Sequence, residues 1–305
     1  MFKKLRRYLR DPKFALGCDL IQKHPNWMSD RFFIETEFRL IMGYKLDLKH
    51  PKTFNEKLQW LKLYDRNPLY TNLADKLAMK DYMIDAIGAE YVVPTLAIYN
   101  SVDEINLDTL PNQFVLKCNH DSGSVVICRD KSSFDLNKAK EKLRNALKNN
   151  FYNHHREWVY KDIKPMVFAE TYLDYDLNTT MKNNEMVDYK FYCFNGEPKF
   201  LYVSQGLEAQ DTASINYLNM NYSIAPFQRL DFVYFDKIPP KPSSFEKMVE
   251  LSKNISRGFP FVRVDWFECG GKPYISELTF YPGGCPTPIK PFEYEYQIGD
   301  WLNLK

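Results

Sequence analysis

The dipeptide Asn195-Gly196 lies between two runs rich in aromatic and β-branched residues, VDYKFYCF before it and PKFLYVSQ after it. Asn-Gly favours the two-residue type I′ turn, whose twist matches that of paired antiparallel strands. A second pair of runs, FPFVRVDWFE and KPYISELTFY, surrounds Gly270 and Gly271. Because a hairpin joins strands of opposite direction, the sequence predicts antiparallel sheets.

Helical segments are predicted ahead of these hairpins. Residues 53–64, TFNEKLQWLKLY, begin with Thr53 three positions before Glu56, which is the spacing of a capping box. A second helix is predicted over about 71–87, with Gly88 just past its end. The buried stripe expected for this helix consists of Leu73, Leu77 and Ile84.

The other predicted elements alternate strands with helices. They are a hairpin within 112–129, a helix over 135–149, a buried strand over 166–173, a loop-rich stretch over 207–242 and a helix over 243–257. A chain of 305 residues with 45% hydrophobic content can bury the core of one large domain or of several closely packed subdomains. The predicted fold class is therefore α+β, with antiparallel sheets and flanking helices.

Charge and composition exclude several classes of protein. The formal net charge is only +2 and most basic residues are spread along the chain, so nucleic-acid binding is not expected. The six cysteines show no C-x-x-C spacing, which favours a reducing compartment. No apolar run approaches the roughly 20 residues that span a bilayer, and the N-terminus lacks the apolar core of a signal peptide. We therefore expect a cytoplasmic protein.

The first ten residues have a character of their own. They combine five basic residues with apolar ones at roughly helical spacing, namely Phe2, Leu5, Tyr8 and Leu9. Such a segment can lie on the inner face of a membrane, and it can equally form a solvated basic helix. Peripheral membrane contact through this segment is therefore one of two open expectations.

The clearest candidate for chemistry lies in the last strand pair. Alternation puts Arg263 and Asp265 on one face of the first strand, while Glu277 and Thr279 share a face of the second. A three-residue turn at 270–272 would set Asp265 opposite Glu277, whereas a two-residue turn would place them on opposite faces. Two adjacent carboxylates suit Mg²⁺ bound to nucleotide phosphates. The alternative is an ordinary surface ion-pair ladder.

Two lysines interrupt strands that are otherwise apolar. Lys117 lies in FVLKCN and Lys190 in DYKFYCF, and a buried ammonium requires an anionic partner such as a polyphosphate. Alternatively, both side chains reach water from edge strands. After Lys117, the small residues of 121–124 could turn backbone N–H groups toward phosphate oxygens, although alone they describe an ordinary turn.

These features together resemble the ATP-grasp superfamily: a strand lysine before a small-residue loop, a later strand ending in Glu-x-x-Leu, a second strand lysine, then V-R-V-D and E-L-T-F-Y-P-G-G. The segments DKLAMKDYM, VPTLAIYNSVDEI, LPNQFVLKCNHDSGS, REWVYKDIKP, DYKFYCFNGEPKF and FPFVRVDWFECGGKPYISELTFYPGG are similar to its TupA-like branch, named for teichuronopeptide synthesis. The resemblance covers roughly residues 50–300. It implies an ATP-grasp fold whose two subdomains clasp ATP between them.

The resemblance also implies a division of the chain. Residues 1–70 would be a helical N-terminal region and residues 71–305 the ATP-grasp domain. Within that domain, 71–165 would carry the phosphate loop and 166–305 the hinge and the metal site. Acceptor specificity is expected within about 205–235, where the sequence departs most from the branch.

The cofactors implied by the resemblance are ATP and Mg²⁺. Phosphate and adenine contacts would come from Lys117, Lys190, the covering loop Ser122, Gly123 and Ser124, and the hinge residues Glu170, Tyr172 and Leu173. Metal ligands would be Asp265 and Glu277, with Thr279 where most ATP-grasp enzymes carry an Asn. This departure leaves the role of Thr279 the least defined, because a hydroxyl is a poorer metal ligand than an amide carbonyl.

Catalytic roles are implied for three residues. Arg263 would contact the transferred phosphate together with Lys190, and His120 lies beside the phosphate loop as a candidate for carboxylate binding or proton transfer. Arg156 and Glu157 are further candidates for the same tasks. Capping or packing is the alternative role for His120, Arg156 and Glu157.

The reaction implied is the joining of a carboxylate to an amine through an acyl phosphate. The implied partners are a small-molecule or sugar carboxylate, for example a uronic acid of a surface polysaccharide, and an amino acid or amino alcohol. One rival is a glycosyltransferase, which predicts paired nucleotide-sugar half-domains for which no doubly wound pattern is present. Another is an ATP-dependent sugar kinase, which would use the same ATP site to make a stable phosphoester.

Overall fold

The computed structural model describes residues 27–173, 186–205, 214–229, 233–284 and 286–304. The basic N-terminal segment and part of the 207–242 stretch lie outside these described residues. The described helices are α1 Asp30–Met42, α2 Phe54–Tyr64, α3 Leu69–Ala74, α4 Lys76–Ile87, α5 Leu136–Leu147, α6 Tyr152–His155, α7 Phe245–Ser256 and α8 Glu293–Trp301. The described strands are β1 Thr95–Tyr99, β2 Phe114–Cys118, β3 Val126–Cys128, β4 Val167–Thr171, β5 Val187–Phe194, β6 Glu197–Gln205, β7 Ser214–Asn219, β8 Gln228–Arg229, β9 Phe261–Cys269, β10 Lys272–Thr279 and β11 Ile289–Lys290.

The strands form two larger antiparallel sheets and a short ribbon. The smaller of the two sheets has the order β1-β4-β2-β3, the larger has the order β10-β9-β5-β6-β7, and β11 pairs with β8. A parallel bridge between Val92 and Ile275 links the segment before β1 to the edge strand β10 of the larger sheet. The predicted α+β class with antiparallel sheets is confirmed.

Each sheet packs against its own helix. On the smaller sheet, Leu143 of α5 lies in one apolar cluster with Phe114 and Leu116 of β2. On the larger sheet, Trp266 of β9 is fully buried and donates its indole N–H to the Ser252 hydroxyl of α7 at 2.8 Å. Burial of such large side chains, at about 25 cal/mol per Å² of apolar surface, is the main force that holds each layer.

Local sequence signals explain where several elements begin and turn. Asn195 and Gly196 have φ angles of 49° and 87°, as the tight turn between β5 and β6 requires. At the start of α2, the Thr53 hydroxyl accepts the Glu56 N–H, and the Glu56 carboxylate accepts the Thr53 N–H in return. The predicted hairpin and capping box are both confirmed.

The predicted helix over 71–87 is wrong in two respects. It is two helices, α3 and α4, which meet at Asp75, and the Asp75 carboxylate caps α4 by accepting the Leu77 N–H at 2.9 Å. Because the break shifts the buried face of α4, Ile84 is exposed whereas Met79 and Met83 are buried. A single helical period drawn across the break therefore assigned Ile84 to the wrong face.

The loop-rich prediction for 207–242 also needs correction. Part of this stretch is the strand β7, which pairs with β6 along its whole length, from Ser214 opposite Gln205 to Asn219 opposite Phe200. The inner residues of β7 are buried on both faces, including the polar Asn216. Polar residues on both faces hid the alternation by which a strand is normally recognised.

The helical N-terminal region packs onto the larger sheet. Phe54 of α2 has ring contacts with Phe194 and Phe261 at centroid distances of 5.6 and 5.4 Å. The Asn55 side chain of α2 donates to the Glu295 carboxylate of α8 at 2.6 Å. Phe54 belongs to the apolar core of the larger sheet, and the division at residue 70 and the one between 165 and 166 stay predictions.

Candidate active site

The register of β9 and β10 changes part-way along the pair. The connecting turn has two residues, Gly270 and Gly271, so that Cys269 pairs with Lys272 and Trp266 with Ile275. The register then shifts, and Asp265 lies opposite Glu277. The turn is therefore the two-residue alternative, yet Asp265 and Glu277 face each other as the three-residue alternative required, because a bulge at Ser276 compensates for the shorter turn.

Asp265 lies at the centre of a group of ionised side chains on the larger sheet. Its carboxylate is fully buried and accepts two hydrogen bonds from the Arg263 guanidinium, at 2.7 and 2.6 Å. Lys190, directly opposite on β5, donates to the same carboxylate at 2.9 Å and forms an ion pair with Asp188 at 3.2 Å. We call Asp188, Lys190, Arg263, Asp265, Glu277 and Thr279 the carboxylate cluster.

Arg263 connects Asp265 to the last strand. Its Nη2 lies 3.2 Å from Glu277 Oε1 and donates to the Thr279 hydroxyl at 2.9 Å. The structure thus brings together the predicted metal ligands Asp265, Glu277 and Thr279 with the predicted phosphate contacts Arg263 and Lys190. In this arrangement the guanidinium occupies the space between the two carboxylates.

The electrostatics of the cluster follow from burial and close pairing. Burial raises the pKa of Asp265 against the opposing effects of Arg263 and Lys190. Burial also acts to raise the pKa of Glu277, but Lys76, Lys190 and Arg263 outweigh it and lower that pKa to about 2. The Glu277 carboxylate is consequently ionised at neutral pH and attractive to a cation.

Sequence reasoning missed Lys76, the first residue of α4. Its ammonium donates to the Asp121 carbonyl beside the small-residue loop, and its charge lowers the pKa of Glu277. Lys76 therefore lies between that loop and the carboxylate cluster. The available signal was Asp75 immediately before it, because Asp is favoured at helix N-caps. The prediction of one continuous helix over 71–87 concealed the start of a new helix at Lys76.

A second group of buried charges lies on the smaller sheet. The Glu170 carboxylate of β4 is 5% exposed and accepts from Lys80 of α4 at 2.6 Å, while its other oxygen forms an ion pair with Lys117 of β2. Burial acts to raise the pKa of Glu170, but Lys117 and Lys80 lower it overall. We call Lys80, Lys117 and Glu170 the hinge cluster; sequence reasoning missed Lys80.

The other predicted nucleotide contacts lie near the hinge cluster. Leu173 is buried just after β4, and the Tyr172 ring lies 5.9 Å from the Arg129 guanidinium carbon. In the covering loop, Ser122 and Gly123 are exposed, while the Ser124 hydroxyl accepts the Cys118 N–H at 3.0 Å and donates to the Asp121 carboxylate. The loop thus has one anchored end and an exposed tip, and the nucleotide roles of these residues stay predictions.

His120 is placed apart from the carboxylate cluster. Its ring is 2% exposed, and Nε2 lies 3.2 Å from the Asn149 carbonyl just beyond α5. Nδ1 has no hydrogen-bond partner within the described part of the chain. These contacts fix the start of the covering loop, and a catalytic role for His120 stays a prediction.

The donor set decides how Mg²⁺ could be held. Within the described residues there is no group of three His, Cys, Asp or Glu side chains arranged to hold a metal ion. Asp265 and Glu277 supply two carboxylates, and Mg²⁺ commonly takes one or two carboxylates and completes its shell with phosphate oxygens and water. The residues therefore fit a metal ion that is bound jointly with a nucleotide.

The pairing of Arg263 limits which ligands are available. Both oxygens of Asp265 and the Thr279 hydroxyl already interact with the guanidinium. Glu277 is less enclosed, with 30% of its side chain exposed. Glu277 is thus the most accessible of the predicted metal ligands, and Arg263 must turn toward a phosphate for Asp265 and Thr279 to share the ion.

Comparison with known proteins finds similar solved structures and a matching family. Solved structures similar to this chain include the D-alanine–D-alanine ligase from Helicobacter pylori, with 13% identity, a TM-score of 0.41 and coverage of 82% of this chain and 69% of that one. A RimK domain ATP-grasp protein from Sphaerobacter thermophilus has 12% identity and a TM-score of 0.40, with coverage of 88% and 78%. The ATP-grasp ligase PsnB, solved with Mg and ADP, has 11% identity and a TM-score of 0.41, with coverage of 80% and 63%.

Likenesses at these TM-scores do not bear on the chemistry. No curated protein matches the sequence, and among the described helices none is long and apolar enough to cross a membrane. The model of the TupA-like ATP-grasp family matches residues 56–303, which is most of the chain and includes both clusters of charge. The resemblance that the motifs indicated is confirmed: the chain belongs to the TupA-like ATP-grasp family.

Proposed function

We propose that this protein uses Mg²⁺-ATP to convert a carboxylate to an acyl phosphate and then joins the acyl group to an amine. The observation that carries the proposal is the carboxylate cluster. Asp265 and Glu277 face each other on adjacent strands, and Arg263 lies between them within 3.2 Å of both. This is the arrangement needed where a metal ion and a polyphosphate bind together.

Charge balance supports binding of Mg²⁺-ATP. Counted together, Asp188, Asp265 and Glu277 carry one more charge than Lys190 and Arg263, so the cluster has a net charge of about −1. Asp265 and Glu277 would hold Mg²⁺, which when bound would neutralise charge on the phosphate oxygens. With the ion present the cluster becomes net positive, which suits a phosphoryl group in transfer.

The side chains of this chain supply positioning and electrostatics. Lys190 and Arg263 of the larger sheet would orient the terminal phosphates, and Lys76 of α4 and Lys117 of the smaller sheet would supply further positive charge. Phosphoryl transfer to a carboxylate oxygen needs an aligned acceptor and a stabilised leaving group, and it needs no covalent attachment to the protein. This agrees with a site built of lysines, arginine and carboxylates.

Family membership supports the proposed substrate class. We propose a uronic acid of a surface polysaccharide or its precursor as the carboxylate, and an amino acid or amino alcohol as the amine. The cytoplasm is the proposed setting, and the thiols of Cys118, Cys128 and Cys193, which form no disulfide, are consistent with it.

Hydroxylamine trapping tests the proposal directly. The purified protein is incubated with Mg²⁺-ATP, hydroxylamine and a panel of uronic-acid sugars, and both hydroxamate and ADP are measured. Hydroxamate formed together with ADP supports acyl-phosphate chemistry and identifies the acid. ADP formed with a stable phosphoester instead would replace the ligase with a sugar kinase.

A further inference from the structure

An open cleft lies where α2 meets the end of the chain. Its volume is about 420 Å³, which is a common size for a ligand site. Lys57 and Trp60 of α2 line the cleft, together with Leu302 and Leu304 just beyond α8. Lys49 lines it from the segment between α1 and α2. Because no lining residue belongs to the carboxylate cluster or the hinge cluster, the cleft is separate from the proposed active site.

The ammonium group of Lys57 is fixed in position at this cleft. It donates to the Gly299 carbonyl at 2.8 Å and to the Leu302 carbonyl at 2.9 Å. These carbonyls belong to the C-terminal end of α8, which carries the negative end of the helix dipole. An ammonium has three N–H groups, and within the described part of the chain these two carbonyls are its acceptors. One N–H group therefore remains for a ligand.

Trp60 gives the cleft an apolar surface. Its side chain is partly buried and packs against the apolar cores of both the larger sheet and the α1 region. Its ring centroid lies 5.2 Å from that of Tyr64, one helical turn further along α2. The indole is thereby held in place, and Pro51, Leu302 and Leu304 add apolar surface around it. A flat apolar surface of this kind can pack against the C–H face of a sugar ring.

The polar groups around this surface favour an anion. Lys49 and Lys57 bring two positive charges, and no Asp or Glu lines the cleft. Lys49 is exposed, so its ammonium can approach a ligand from the solvent side. Asn303 is exposed as well, and its amide can both donate and accept hydrogen bonds. A ligand with a carboxylate, several hydroxyl groups and an apolar face matches all of these groups.

Two other kinds of anionic ligand match the cleft less well. A lipid tail requires a continuous apolar surface, whereas this cleft has lysines and an amide among its lining residues. A polyphosphate is typically bound by the backbone N–H groups of a helix N-terminus. Here the helix end is the C-terminus of α8, whose carbonyls already occupy two N–H groups of Lys57. A ligand with a single negative charge on each ring is therefore favoured.

We propose that this cleft binds an acidic saccharide, with a sugar ring on Trp60 and a carboxylate paired with Lys49 and Lys57. The cleft performs no chemistry, so the inference goes beyond the proposed function. With a uronic-acid polymer as substrate, the cleft would hold a part of that chain away from the reacting sugar. This link to the substrate rests on the proposed function, whereas binding at the cleft is independent of ATP and of the carboxylate cluster.

Isothermal titration calorimetry without ATP or Mg²⁺ tests the site. The probes are oligogalacturonate, its methyl ester and the neutral oligosaccharide maltotriose. The wild-type protein should bind oligogalacturonate at least about tenfold more tightly than the other two, because only this probe carries carboxylates. Absence of oligogalacturonate binding, or equal affinity for all three probes, would overturn the inference.

Variants locate the binding in the cleft. Lys49→Glu reverses the charge of an exposed side chain and should weaken oligogalacturonate binding by about fivefold. The matched control is Lys45→Glu, which is exposed on the same segment but does not line the cleft, and affinity should stay within about twofold of wild type. Trp60→Leu keeps an apolar side chain but removes the flat ring, and it should weaken binding by about tenfold. Thermal unfolding checks that this variant is folded, and the two lysine variants test the site without altering the core.

The remaining outcomes separate this site from its rivals. Equal weakening in Lys49→Glu and Lys45→Glu would show a response to net charge alone and would overturn the site. If phosphatidylglycerol vesicles bind, Lys49→Glu abolishes that binding and oligogalacturonate does not bind, the cleft contacts a membrane surface and the saccharide is excluded. Absence of hydroxamate in the trapping experiment would overturn the proposed function, whereas the calorimetric result would still decide the saccharide site.

Discussion

The two clusters of buried charge differ in sign. The hinge cluster on the smaller sheet places one carboxylate, Glu170, between two lysines, so its net charge is about +1. The carboxylate cluster on the larger sheet has three carboxylates around Lys190 and Arg263, so its net charge is about −1. The first cluster has spare positive charge for an anion and the second has spare negative charge for a cation.

Close pairing leaves little unbalanced charge in either cluster. Burying an isolated ion costs several kcal/mol, and each cluster offsets most of that cost through pairs closer than about 3.2 Å. What each cluster leaves unbalanced is a single charge. Lys76 donates to the Asp121 carbonyl beside the covering loop, and its charge lowers the pKa of Glu277. The proposed ligand, Mg²⁺-ATP, would offer an anion to the hinge cluster and a cation to the carboxylate cluster.

The largest expected effect is on the centre of the carboxylate cluster. Asp265→Asn leaves the buried Lys190 and Arg263 facing a neutral amide, and the free energy of unfolding should fall by about 3–5 kcal/mol. Chemical denaturation monitored by tryptophan fluorescence measures this loss. As a matched control, Asp188→Asn removes a longer and more exposed pair to Lys190 and should cost about 1 kcal/mol. Equal losses of unfolding free energy in the two variants would contradict the central role of Asp265 in pairing the buried charges.

Glu277→Gln should separate chemistry from stability in the same cluster. The glutamine keeps the size of the side chain but loses the charge that holds the metal ion, so ATP-dependent turnover should fall by about 10²–10³-fold. Because Glu277 is 30% exposed, the melting temperature should change by only a few degrees. The control is Glu197→Gln, at the surface pair with Lys253, which should leave turnover unchanged. Wild-type turnover in Glu277→Gln would show that Glu277 is not a ligand of the metal ion.

The contrast between the clusters was only partly predictable from the sequence. Alternation along a strand and an Asn-Gly turn are local signals, and they correctly predicted the larger sheet and the shared face of Arg263 and Asp265. The register of Glu277 depends on a bulge at Ser276, and a serine within a strand carries no signal for one. The two turn lengths left open by the sequence therefore could not decide whether Asp265 faces Glu277, because the bulge reverses the outcome expected for a two-residue turn.

Contacts between residues far apart in the sequence could not be predicted from local sequence patterns. Lys80 meets Glu170 across 90 positions, and Lys62 meets Gly284 across 222. Patterns along the chain report the face of a strand or helix, whereas the pairing of buried charges is decided by tertiary packing.

In the hinge cluster, Lys117→Ala tests the spare positive charge. Lys80 remains to pair with Glu170, so the fold should persist while affinity for a non-hydrolysable ATP analogue falls by about tenfold. Isothermal titration calorimetry in the presence of Mg²⁺ measures the change. Lys138→Ala, on the exposed face of α5, is a control for the loss of one positive charge from the helix that packs on the same sheet. Unchanged affinity would mean that Lys117 serves only to neutralise Glu170.

The smallest expected effect is the acid dependence of stability. The pKa of Glu277 is lowered from its ordinary 4.5 to about 2, so its ion pairs stabilise the fold fully above about pH 4.5 and are lost as the pH falls toward 2. After solvent screening this contribution should be about 1–2 kcal/mol. Asp265, whose pKa is raised by burial above its ordinary 3.8, acts in the opposite direction at higher pH. Between pH 2 and 5, the free energy of unfolding measured with denaturant should therefore fall less steeply with decreasing pH in Glu277→Gln than in wild type. An unchanged limb would assign the acid sensitivity to Glu170 in the hinge cluster, whose pKa is also lowered by its lysines.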